Sequence, residues 1–230
     1  MSLARYIVLA AVLAGPAALA EGPGSMSLTF AEGEVTAQVI GVAPAAVVEG
    51  AILHEGDVLQ TGAAGRAEVL LGTGSILRLG ASSKVELHSA PDASSFRARL
   101  SFGNLWAKVH KLIAGQRFQI ETQNAVAGVR GTEFRVAATE KGLNVVRVYE
   151  GSVEVKSDSF THLVKPGSEL RYSKAAKLGP RPFDVKGEKG PFMRWVREKG
   201  PQAGGGKQGA DKKDHKPKLR ERPQKDQRRH

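Results

Sequence analysis

Residues 96–102 read FRARLSF, and in them Phe96, Ala98, Leu100 and Phe102 alternate with Arg97, Arg99 and Ser101. Successive side chains of a β-strand point to opposite faces, so this period of two puts one face on a core and the other in water. The same alternation recurs on both sides of the stretch. Upstream it runs through Val35, Ala37 and Val39, then Ala67, Val69 and Leu71, Leu77 and Leu79, and Val85 and Leu87. Downstream it continues in Phe118 and Ile120, Phe134 and Val136, Val146 and Val148, and Val153 and Val155. Between Leu28 and Tyr172 there is no sustained apolar stripe at the 3.6-residue period of a helix.

Glycine punctuates the strands, as at Gly33, Gly41, Gly50, Gly56, Gly62, Gly72, Gly80, Gly103 and Gly115. Many short strands separated by such turns predict an all-β domain over 28–172, built of short antiparallel strands in a sandwich or roll. A recurring Gly-x-Val unit, at Gly33, Gly56 and Gly151, offers solenoid-like stacking of turns as the alternative.

The flanks read differently. Residues 1–20 carry one charge, Arg5, then an apolar run from Tyr6 to Gly15 and the small-residue ending Ala18-Leu19-Ala20. That is the pattern of a secretory signal peptide cut after Ala20, with an uncleaved anchor as the alternative, and it implies a periplasmic or secreted protein. No later stretch is long and apolar enough to span a bilayer. The chain has no cysteine, which removes disulfides, thiol catalysis, cysteine-bound zinc and lipid attachment at cysteine. Residues 173–201 read as a linker, with Gly179-Pro180-Arg181-Pro182 at its start. Within it, FMRWVREK (192–199) would place Phe192, Trp195 and Val196 on one face of a short helix.

Residues 202–230 are rich in Gly, Lys, Asp, Arg and Gln and hold one large apolar side chain, Leu219, so they predict a disordered basic tail. From Asp184 onward there are 15 Lys and Arg against 7 Asp and Glu, whereas 21–183 holds 18 against 16. The high positive charge therefore belongs to the tail. Lys212, Lys213, Lys216, Lys218, Arg220, Arg222, Arg228 and Arg229 are its candidates for an anionic surface, with a solvated tail as the bland reading. Nucleic acid is excluded as a partner by the export pattern and the lack of interleaved aromatics.

No motif supports catalysis: there is no G-x-S-x-G, no phosphate loop and no H-E-x-x-H. His54-Glu55-x-Asp57 reads as a surface turn rather than a metal site, and Glu121 with Glu133 has nothing to fix an acid/base separation. No cofactor is implied. The most specific segment is AVAGVRGTEFRV, 125–136. Gly128 and Gly131 predict a tight turn or close packing, and Arg130 with Glu133 an ion pair bracketing it, with a partner contact by Arg130 as the alternative. Trp106 falls on the polar face of its strand with Lys108 and His110. It reads either as covered by a second layer or the 192–199 segment, or as an exposed contact, as does Trp195.

These residues resemble the FecR domain of bacterial cell-surface signalling proteins. The resemblance rests on GDVLQTGAAGRAEVLLGTGSILRLGASSKVEL (56–87), LSFGNLWAKVHKL (100–112), FQIETQNAVAGVRGTEFRV (118–136) and VRVYEGSVEVKS (146–157). It implies a periplasmic, all-β, non-catalytic signal-receiving domain whose signature includes Gly128, Arg130, Gly131, Thr132, Glu133 and Phe134. In the best-known members that domain follows a cytoplasmic anti-sigma segment and a membrane helix. Here an export leader stands in their place, so the resemblance points to a free-standing exported domain that binds an envelope protein or glycan. The alternative is a structural tether that uses the basic tail as an electrostatic anchor.

Overall fold

The computed structural model describes residues 22–188. The chain divides into two units, 1–187 and 188–230, so the described residues lie almost wholly in the first.

The alternating segments form strands. The first half holds β1 (Met26–Glu32), β2 (Val35–Gln38), β3 (Ala45–Ala46), β4 (Ile52–Leu53), β5 (Val58–Thr61), β6 (Arg66–Leu71), β7 (Ile76–Leu79), β8 (Ser83–Ser89) and the long β9 (Ser95–Lys108). The second half holds β10 (Arg117–Glu121), β11 (Val126–Val129), β12 (Glu133–Ala138), β13 (Asn144–Glu150), β14 (Val153–Lys156), β15 (Thr161–Val164), β16 (Ser168–Tyr172) and β17 (Lys177–Pro182).

Hydrogen bonding arranges them in two ladders. The front ladder runs β4-β1-β6-β7-β9-β12-β13-β16-β17. The back ladder runs β3-β2-β5-β8-β9-β10-β11-β14-β15. β9 belongs to both: residues 96–102 pair with β8 in the back, and 103–108 pair with β12 in the front. Every pairing is antiparallel except β9 with β10. Neither ladder closes into a barrel, and the parallel stacking of a solenoid is not the rule here. The Gly-x-Val units have a different meaning: each opens a strand of the back ladder, β2, β5 or β14.

One hydrophobic cluster takes side chains from both ladders. Leu28, Val69, Leu77, Leu105, Phe134 and Val148 come from the front, and Leu59, Val85, Leu100, Ile120 and Val155 from the back. Each such burial contributes about 1.5–3 kcal/mol, which makes the shared cluster the main stabilising feature. Of the exposed large apolar residues, Val39, Ile40, Val42, Val48 and Ile52 lie around β3 and β4.

The sequence reading needs one correction at its C-terminal border. Gly179-Pro180-Arg181-Pro182, expected as linker, lies in β17, which pairs antiparallel with β16 at the edge of the front ladder. Two prolines are tolerated there because an edge strand has one side free of ladder bonds. A helical turn at 185–188 follows. The leader, the 192–199 segment with Trp195, and the basic tail from Lys212 to Arg229 lie outside the described residues.

Two glycines show how tightly the chain passes between ladders. Gly103, where β9 changes ladder, has φ +99°, and a Cβ there would run into Ser83. Gly151 has φ +75°, and a Cβ would lie 2.7 Å from the Gly131 carbonyl oxygen and 2.9 Å from Thr132 Oγ1. Gly103→Ala and Gly151→Ala should each cost about 1–3 kcal/mol in urea unfolding. An unchanged midpoint in either variant would contradict this packing.

Candidate functional site

The signature segment is the passage from the back ladder to the front. β11 ends at Val129, residues 130–132 make the bend, and β12 begins at Glu133. Thr132 fixes the bend at three points. Its N–H donates to the Val109 carbonyl (3.2 Å), its carbonyl accepts from the Val109 N–H (2.9 Å), and its hydroxyl donates to the Ser152 carbonyl (3.0 Å). Gly131 has φ +95°, and a Cβ would sit 3.0 Å from Lys111 Cα. Three passages are therefore stacked: the end of β9, the β11–β12 bend and the β13–β14 turn. Phe134 follows directly in the core. Gly131, Thr132 and Phe134 are thus explained by architecture.

The expected ion pair between Arg130 and Glu133 is not formed. Arg130 is exposed and continues the outward face of the back ladder, after core-facing Val129. Glu133 is buried and lies on the side of Arg135, the outward face of the front ladder. The bend at Gly131 sends the two side chains to different ladders. Nor do Glu121 and Glu133 come together: Glu121 belongs to the back ladder, where Arg97 and Arg99 approach it at 3.6 and 3.3 Å.

Gly128 behaves unlike Gly131. It lies within β11 outside the positive-φ set, and a Cβ there would meet only the Glu154 carbonyl oxygen, at 4.0 Å. Its bare backbone floors a trough of about 520 Å³ on the back ladder's outward face. Gln119, Gly128, Glu154 and Leu163 sit in one row across β10, β11, β14 and β15. Arg117, Arg130 and Ser152 line its neighbouring row. Of these, sequence reading singled out only Gly128 and Arg130, because the others come from strands whose order alternation does not specify.

The outward face of the front ladder is charged and closely paired. Glu68, Arg78, Trp106, Arg135, Arg147, Glu169 and Arg181 follow one another in register across six strand pairings. Arg78 Nε lies 2.6 Å from Glu68 Oε2, and its guanidinium sits 4.4 Å from the centroid of the Trp106 ring. That is cation–π geometry, and Trp106 is 1% exposed. Trp106 does lie with the polar set, as the alternation implies, and it is buried there. Glu169 receives Arg147 Nε and Arg171 Nε, each at 2.8 Å. Burial alone would raise the Glu169 carboxyl, but the hydrogen bonds and charges of Arg147 and Arg171 outweigh it and hold the group below its ordinary value of 4.5.

The histidines form no metal grouping; none with three or more ligands exists among the described residues. Asp57 accepts the His54 backbone N–H at 2.8 Å, which makes His54-Glu55-x-Asp57 a capped turn. His88 lies between Glu55 and Glu86, at 2.8 and 2.9 Å.

These observations define a two-ladder β module whose signature glycine and threonine hold its passages together. Residues 57–154 match the model of the family described as FecR protein. Two crystal structures of candidate anti-sigma factors from Parabacteroides distasonis ATCC 8503 share the fold. The one at 2.50 Å resolution is 20% identical with a TM-score of 0.51, covering 56% of this chain and 61% of that one. The one at 1.65 Å is 19% identical with a TM-score of 0.53, covering 60% and 65%. The chain thus spans less than two thirds of either structure's length. No curated protein matches the chain.

The lowered Glu169 carboxyl has a consequence for acid stability. Its ionised form is favoured in the fold, so the stabilisation is present above the unfolded-state pKa and is lost as pH falls through the lowered native one. Glu169→Gln should melt below wild type at neutral pH, and the gap should narrow between about pH 5 and pH 2. A pH-independent gap in thermal melts would refute the linkage.

Proposed function

We propose that this chain is an exported FecR-type module of the bacterial envelope, which relays a signal by binding a partner and performs no chemistry. The match of residues 57–154 to the FecR family carries the reading. It is supported by the leader-like pattern of residues 1–20 and by the absence of cysteine and of any catalytic motif. The partner is an envelope protein or glycan met in the periplasm or outside the cell. The signature segment serves this indirectly: Gly131 and Thr132 hold the passages so that both outward faces stay in fixed register.

A second reading, envelope tethering, draws on the net +8 charge of residues 184–230, the difference between 15 basic and 7 acidic side chains. Lys212, Lys213, Lys216, Lys218, Arg220, Arg222, Arg228 and Arg229 would then meet an anionic surface.

Both readings are testable in cells. N-terminal sequencing of the exported protein should begin at Glu21, and a retained leader would instead mean a membrane anchor. Affinity capture from envelope extract with the full chain should recover a partner that survives truncation after Phe183. If truncation instead releases the protein from the envelope and abolishes capture, tethering replaces signal relay.

A further inference from the structure

Ten arginines lie among the described residues, and eight have a side-chain partner. Arg66, Arg78, Arg97, Arg99, Arg147, Arg171 and Arg181 face carboxylates, and Arg135 donates to Asn104. The two without one among the described residues, Arg117 and Arg130, line the same trough. They are also neighbours: Phe118 and Val129 are register partners, so Arg117 and Arg130 flank that pair on the outward face. Like charges set side by side on a sheet repel, and neither arginine has an ion-pair partner among the described residues.

The floor between them is equally unexplained by folding. A glycine inside a strand weakens it by roughly 0.5–1 kcal/mol relative to alanine, and neither φ nor close packing requires one at Gly128. What the missing side chain provides is room for another group to approach the backbone. The trough thus combines an unfilled floor, two adjacent guanidiniums at one end, and Glu154 with the 53% exposed Leu163 at the other.

We infer that this trough binds an extended acidic peptide segment of a partner protein. The two guanidiniums take the peptide's carboxylates, for which their planar forks are suited. Leu163 takes an apolar side chain, and Gly128 lets the peptide backbone lie against β11. A glycan is the weaker fit, because the lining has no exposed aromatic to stack on a sugar; Phe118, its one aromatic, is buried. The inference rests on the binding reading above and adds the site and the chemistry of the partner.

The test uses the full chain labelled with nitrogen-15 and a capped decapeptide of alternating glutamate and valine. The peptide should shift the amide signals of Gly128, Gln119 and Leu163 saturably, and its glutamine counterpart should not. Arg117→Ala with Arg130→Ala should weaken binding about tenfold or more. Gly128→Val should abolish binding while the melting temperature holds or rises. The inference is overturned if the peptide leaves those amides unmoved, if the double arginine variant binds equally well, if Gly128→Val melts markedly lower, or if a carboxylated oligosaccharide binds there and the peptide does not. None of these outcomes touches partner capture from envelope extract, so the broader function stands or falls separately.

Discussion

One strand serves two hydrogen-bonded ladders at once. β9 pairs with β8 and β10 through its first half and with β7 and β12 through its second. A strand that continues from one ladder to the next fixes their relative register, because a slip of one residue would turn every core side chain outward. The change of ladder is possible only where the backbone can take the positive φ of Gly103 with Ser83 pressed against it. Asn104 completes the corner: its N–H donates to Ser83 Oγ at 2.9 Å, and its carbonyl accepts the Gly80 N–H at 3.0 Å. The same solution, a glycine packed against backbone with a hydroxyl residue beside it, returns at Gly131, Thr132 and Gly151.

With the ladders fixed, the two outward faces take different characters. On the front, Glu68 meets Arg78 in register, and Glu169 gathers Arg147, Arg171 and, at 3.8 Å, Arg181. On the back, charge pairing is good near Glu86, Arg99 and Glu121 and stops at Arg117 and Arg130. Carboxylate pairing on the back face thus ends beside the signature bend.

Much of the fold was legible in the chain. The alternation in FRARLSF buries Phe96, Ala98 and Leu100 as it implies, while Phe102, next to the ladder change, is only partly buried. Beyond Gly103 the positions in the shared core become Leu105, Ala107 and Val109, odd where they had been even. That shift of parity is the mark of the ladder change, readable in retrospect from the sequence alone. Other features had no local signal. The cover that Arg78 gives Trp106 depends on strand neighbours 28 positions apart in the chain. The trough needs four strands, from β10 to β15, brought side by side in an order that periodicity does not encode. β17 was hidden because its prolines read as a linker, when an edge strand accommodates them. Arg130 and Glu133 look paired along the chain and are separated by the bend that makes their segment distinctive.

The prolines of β17 also bear on how the molecule meets copies of itself. An edge strand with unsatisfied N–H and C=O groups is a template for another chain, and proteins blunt such edges with prolines or by keeping them short. Among the described residues the front ladder ends in β17, which carries Pro180 and Pro182, and in β4, two residues long. The back ladder ends in β3, also two residues long, and in β15, Thr161–Val164, which has four residues and no proline. Three of these edges are blunted and one is not, so among the described residues sheet-to-sheet growth has its place to begin on the rim where Leu163 stands.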